Sequence, residues 1–360
     1  MSAAEASNPA FPPSLLGPPV TREACEESAM TGVRTGRNET IDVIRLVSAA
    51  GIVFIHAARS VELDASRNFF RFAVPFFLFA SLYYQILSMR NHPERTALQY
   101  AAERFRRLYL PFLAWSAIYF VARSAKRIAL LHMGPARLGP GTLWQGTEYH
   151  LWFLPFLLAC SIVLLGIYRA IEHRGALWRW AAILIATAMG FVFALAPMPG
   201  NWNEVFDNPT YAYVQFWRSL PAAWWAIAFC LLMGTGRAVF RVSPIISVAG
   251  LLLAVGCSVL QVFYGILLIP RALCGLGLML AALGPWKWPS GSLLAQLGRY
   301  GYGIYLCHVL IGELIRAGAA VGHFASSVTL DLVVFVFSFA GSVLFAVMLG
   351  RSRKLGWLNG

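Results

Sequence analysis

A chain of 360 residues that is 58% hydrophobic and 12% charged departs from a soluble domain, where about 45–50% and about 25% are usual. A polytopic membrane protein is the expectation. The formal charge of +13 would point a soluble protein toward nucleic acid, but in a membrane protein the position of the charge matters more, and no nucleic acid partner is expected.

Residues 1–39 are rich in Pro, Ser, Ala and Glu and read as a disordered cytoplasmic tail, without the build of a cleavable secretory signal. A bilayer crossing needs about 20 mostly apolar residues, and such stretches lie near 41–58, 69–88, 108–122, 149–168, 180–197 and 219–237. The uncharged run 242–270, continued after Arg271 to 286, is too long for one crossing and predicts two helices hinged near Gly265 and Pro270. Segments near 300–318 and 332–350 bring the expectation to ten helices. The fold class is therefore all-α, a polytopic helical bundle over 40–350 with a short basic tail at 351–360 and no soluble domain. Of the six cysteines, Cys160, Cys230, Cys257, Cys274 and Cys307 lie in apolar runs and none forms a CxxC pair. They read as small buried hydrophobes. The seven histidines show no metal-ligand spacing.

With the amino terminus inside, most arginines and lysines fall on cytoplasmic segments and both termini are cytoplasmic, as the positive-inside bias requires. Arg123, Lys126, Arg127 and Arg137 fall outside and dissent.

The polar residues within these segments are informative. In RLVSAAGIVFIH, Arg45 and His56 are eleven positions apart, about three helical turns, so they share a face about 16 Å apart along the axis. Ionisable residues inside a bilayer usually mark a cavity or a partner, although Arg45 snorkelling to headgroups and an interfacial His56 also satisfy the spacing. Arg104, Arg106 and Arg107 crowd the start of the third helix. Guanidinium forks suit phosphates, and basic anchoring accounts for the same residues. Glu148 and His150 open the fourth helix, and Arg59 and Arg71 flank the first outer loop. Glu148 is a candidate to orient His56 as an acid beside a general base, or a solvated residue at a helix amino terminus. Glu204 and Asp207 are second candidates. In LGRYGYGIYLCHVLIGELI, Tyr300, Tyr302 and Tyr305 precede His308, which reads either as a structural histidine or as part of the site.

Five stretches, DVIRLVSAAGIVFIH, RFAVPFFLFAS, ERFRRLYLPF, HLWFLPFLL and LGRYGYGIYLCH, occur in this order over about residues 40–350. Together they resemble acyltransferase family 3, the bacterial integral-membrane O-acyltransferases that modify surface sugars. One departure is ASLYY, with Ala80, Ser81 and Leu82 where a Ser-Gly-aromatic turn is expected.

The resemblance implies transfer of an acyl group, commonly acetyl from acetyl-CoA, onto a sugar hydroxyl of an exopolysaccharide or other surface glycan, in the bacterial inner membrane. No permanently bound cofactor is implied; an acyl-CoA is the donor. Arg104 and Arg107, with Arg106 and Arg45, would hold the CoA phosphates. His56 would take the hydroxyl proton or itself be transiently acylated, with Glu148 beside it and Arg71, His150, Tyr302 and His308 supporting the substrate side. Membrane lipid, a lipid-linked oligosaccharide or polysaccharide acceptor and glycan-assembly proteins are the implied partners. The rival class is a glycan or small-solute transporter or flippase, which discontinuous helices near Gly265 and Pro270 would suit; no inverted repeat between the halves is visible. A non-catalytic partner of a synthase is a third reading.

Overall fold

A computed structural model describes residues 38–197, 211–234, 242–286 and 292–359, with Leu130, Leu131 and Tyr211 described by backbone alone. Helices and no strands occur among the described residues. Nine of those helices are long and apolar enough to cross a membrane, so the chain is an all-α polytopic bundle. The tail expected at 1–39 lies outside the described residues as far as 37. Asn38 and Glu39 open the first helix instead.

That helix, α1 (Glu39–Ala57), starts where the Asn38 side chain accepts from the backbone of Thr40 and Ile41, with Glu39 and Asp42 in the first turn. A capping oxygen and acidic residues at a helix amino terminus satisfy orphan N–H groups and the dipole. A short helix, α2 (Asp64–Phe69), leads to α3 (Ala73–Asn91). This is the central element, packed on α1 and on two later helices, α9 (Tyr211–Gly234) and α11 (Leu268–Ala282). Phe76, Leu78, Phe79, Ala80, Leu82 and Ile86 of α3 are wholly buried. The departure at Ala80–Leu82 leaves α3 unbroken.

Helix α4 (Ala97–Arg104) begins with a Thr96–Gln99 capping box and runs through a π-helical turn at Phe105–Tyr109 into α5 (Leu110–Leu131). A four-residue turn, α6 (Thr142–Gln145), precedes α7 (Phe153–Ile171) and α8 (Ala176–Leu195). Leu184, Ile185, Val192 and Leu195 of α8 face outward, an apolar exterior suited to lipid tails.

The expected hinge lies between α10 (Pro244–Tyr264) and α11. Gly265, at φ +76°, ends α10, a conformation that glycine adopts without strain. Pro270 then sits in the first turn of α11, where a missing N–H leaves no bond unmade. With 15 residues, α11 is shorter than the other spans, so the ten expected crossings resolve into nine long helices and this short one among the described residues. Gly250 and Gly277 let α10 and α11 touch backbone to backbone: a Cβ on Gly277 would lie 2.5 Å from the Gly250 carbonyl oxygen.

The chain closes through α12 (Leu293–Gly298), α13 (Gly301–Val321) and α14 (Val328–Arg351). The segment expected as a basic tail folds back: Gly356–Asn359 forms a turn, Leu358 accepts from Trp115 Nε1 at 3.1 Å, and Asn359 donates to Ala346 at 2.7 Å. Cys160, Cys230, Cys257, Cys274 and Cys307 are buried free thiols; Cys25 lies outside the described residues.

Candidate active site

His56 occupies the last turn of α1, half-buried. Two histidines from distant parts of the chain meet it. His308, on α13, stacks on His56 with ring centroids 5.2 Å apart and planes inclined by 29°. His150, just before α7, lies 6.2 Å from His56 and 5.1 Å from His308. Both newcomers are 2% exposed. Tyrosines surround the cluster: Tyr149 lies 5.0 Å from His56, Tyr119 lies 5.1 Å from His150, and the Tyr305 hydroxyl donates to the His150 carbonyl.

One tautomer follows from the geometry. His308 Nδ1 lies 2.7 Å from the Tyr305 carbonyl, and a carbonyl can only accept, so Nδ1 carries the proton. That leaves Nε2 with its lone pair, buried and without a hydrogen-bond partner among the described residues. For His150, which lies outside the membrane-spanning segments, burial is the main cause that pushes the imidazole well below its ordinary range, and His308 and His56 push it in the same direction. His150 is thus held neutral. No group of three or more His, Cys, Asp or Glu with metal-binding geometry occurs among the described residues.

Two clefts meet at His56. One is lined by His56, Arg71, His150, Gln215, Arg271 and Tyr305 together with Phe70, Trp152 and Phe153, around about 490 Å³ of empty space. The other is lined by His56, Arg59, Tyr149, His308, Glu313 and Arg316, among others. Arg71 donates to Asn68 at 2.8 Å. The charges acting on Glu148 are those of Arg123, Glu313 and Lys126. Burial raises the Glu148 carboxyl above its usual range. The structure brings His150 and His308 to His56; the Glu148 carboxylate accepts from the backbone N–H of Tyr149 at 3.4 Å. Glu204 and Asp207 lie outside the described residues.

The arginines gather at the opposite end. From Tyr119, beside His150, back to Arg107 is twelve residues of continuous helix, about 18 Å. Arg104 is half-buried and Arg106 and Arg107 are exposed; Arg107 pairs with Glu103 at 3.7 Å. They flank or occupy the π-helical turn, a distortion found often at functional sites. Tyr302, whose hydroxyl is buried, lies within electrostatic reach of Arg107. Its neighbour Gly301 packs on Arg45. Arg45 itself lies 3.4 Å from Asp42, with its guanidinium 4.9 Å from the Tyr84 ring centroid. Arg45, Arg107 and Tyr302 thus converge around the start of α13, whose next two turns carry His308.

The family model described as an acyltransferase domain, that of acyltransferase family 3, matches residues 38–351. The chain belongs to this family. No curated protein and no solved structure matches it. In this acyltransferase α1 carries both Arg45 and His56, α13 carries both Tyr302 and His308, and α5, which carries Tyr119, continues from the turn that holds Arg106 and Arg107. Several site residues escaped the sequence reading. Arg271 is 4% exposed in the aromatic cleft; its signal was a single charge between two uncharged apolar runs. Tyr119 and Tyr149 gave no signal, because tyrosine is common at helix ends near membrane interfaces.

Proposed function

We propose that this acyltransferase transfers an acyl group, acetyl in the first instance, from a cytoplasmic acyl-CoA to a sugar hydroxyl of an exopolysaccharide or other surface glycan at the bacterial inner membrane. The observation that carries the reading is the meeting of His56, His150 and His308, from three distant parts of the chain, at one cluster bordered by two clefts. Arg104 and Arg107, with Arg106 and Arg45, hold the CoA phosphates on the cytoplasmic side, since planar guanidinium groups bind phosphate oxygens in pairs. The pantetheine arm then reaches toward His56. The sugar occupies the cleft of Trp152, Phe153 and Gln215, where aromatic faces and polar groups offer what a sugar needs.

His56, neutral, accepts the hydroxyl proton as the sugar oxygen attacks the thioester carbonyl. A C–O bond forms, the C–S bond breaks, and the imidazolium returns its proton to the departing thiolate. The variant route, in which His56 first carries the acyl group, differs in forming an adduct on the ring that chemical quenching and mass analysis would detect.

The test is the ester content of the host's surface polysaccharide with the gene present, deleted, and restored as His56→Ala. Loss of a general base slows transfer by about 10²–10⁴, so polymer is expected to be exported without its ester groups in the last two strains. Absence of exported polymer would favour a flippase. Normal ester content in His56→Ala would remove the mechanism.

A further inference from the structure

Directly after His56 the first helix ends without a glycine cap. Ala57 is its last residue and Ala58 leaves it in extended conformation, and the carbonyls there are satisfied by arginines: Arg316 donates to Ala57 and Arg67 donates to Ala58 at 3.1 Å. Cations suit the carboxyl end of a helix dipole. Arg316 lies on α13, the helix that carries His308, so its bond to Ala57 ties the His56 turn to the His308 helix.

Arg316 is in turn held by Asp331, in the first turn of α14. Asp331 is 1% exposed, and both its oxygens are engaged. Oδ1 accepts from Arg316 at 2.7 Å. Oδ2 accepts from the backbone of Arg59 at 2.8 Å, the backbone of Ser60 at 2.7 Å and the Ser60 hydroxyl at 2.6 Å. Four donors around one buried carboxylate make a stiff junction. It grips the chain on both sides of Ala58, at Ala57, Arg59 and Ser60, one, three and four residues from His56, and it borders the cleft that His56, His308 and Arg316 share.

We propose that Asp331 is a positioning residue: through Arg316 and the Arg59–Ser60 turn it sets the end of α1 so that the His56 ring stacks on His308 in register with the substrate. The inference rests on His56 being the reacting group. Asp331 touches no substrate and acts through the backbone on either side of the helix end. A displacement of about 1 Å at a reacting group lowers rates by about 10²-fold, and that is the scale on which the junction acts.

The experiment uses the full chain in native membranes, with radiolabelled acetyl-CoA as donor and the host's own surface polysaccharide fraction as acceptor. Asp331→Asn removes the charge that holds Arg316 and is expected to lower kcat by about 10²-fold with the donor KM unchanged. Ser60→Ala is expected to lower kcat by a smaller factor, and Ser60→Thr, which keeps the hydroxyl, to stay near the native rate. A merely structural carboxylate would lower thermal stability and leave kcat per folded molecule, and the difference between Ser60→Ala and Ser60→Thr, unaffected; that pattern overturns the proposal. If Asp331→Asn does not accumulate, native kcat in Ser60→Ala alone overturns it. Undiminished transfer by His56→Ala would instead overturn the reading of His56, so the two failures are distinguishable.

Discussion

The rings of His56 and His308 stack 5.2 Å apart although 252 positions separate them in the chain. A buried imidazole whose Nδ1 proton is committed to a carbonyl presents its other nitrogen as an acceptor, which can polarise or orient a neighbouring proton donor. We predict that His308→Ala slows transfer by about 10-fold to 10²-fold, less than His56→Ala. Initial rates at saturating donor measure both. A larger loss in His308→Ala would move the role of base to His308.

On α4 and the π-helical turn, Arg104→Ala combined with Arg107→Ala is expected to raise the donor KM by at least about tenfold, since each charge-assisted hydrogen bond contributes about 1.5–3 kcal/mol. The modified sugar position should stay the same. A donor KM equal to the native value would leave these arginines as anchors of topology only.

His150 supplies a pH dependence whose sign can be worked out. Its folded-state affinity for a proton lies below that of an unfolded imidazole, chiefly through burial. Its contribution to stability is therefore complete above the unfolded value of about 6.5 and is lost as pH falls from there toward the folded value. We predict that the unfolding free energy drops between pH 6.5 and 5 with a slope of at most about 1.4 kcal/mol per pH unit from this residue, and that the melting temperature falls with it. In His150→Phe that slope should diminish. An unchanged slope would show that His150 is not the titrating group.

The backbone contact between α10 and α11 is a target for stability alone. A side chain on Gly277 would collide with the Gly250 carbonyl and with Ala254, and backbone atoms cannot swing aside. Gly277→Val is expected to separate α10 from α11 and lower the melting temperature in detergent, an overpacking effect of about 1–3 kcal/mol or more. A native melting temperature would mean that the two helices slide apart without penalty.

Much of the bundle was legible from hydropathy, because a run of about 20 apolar residues has few other uses and its length is a local property. The hinge at Gly265 and Pro270 was legible for the same reason, since both residues carry backbone preferences wherever they occur. The length of α11 was not: where a helix stops after a hinge depends on what it meets, here the close packing on α10.

For the site, spacing within one helix placed Arg45 and His56 on a common face, a matter of 3.6 residues per turn and nothing else. The meeting of His150 and His308 over His56, the burial of Arg271 in an aromatic cleft and the grip of Asp331 on the end of α1 lie beyond that arithmetic. Each joins residues far apart in the chain, and hydropathy is blind to which helices become neighbours. Local periodicity decides what a segment is, while packing decides what it faces.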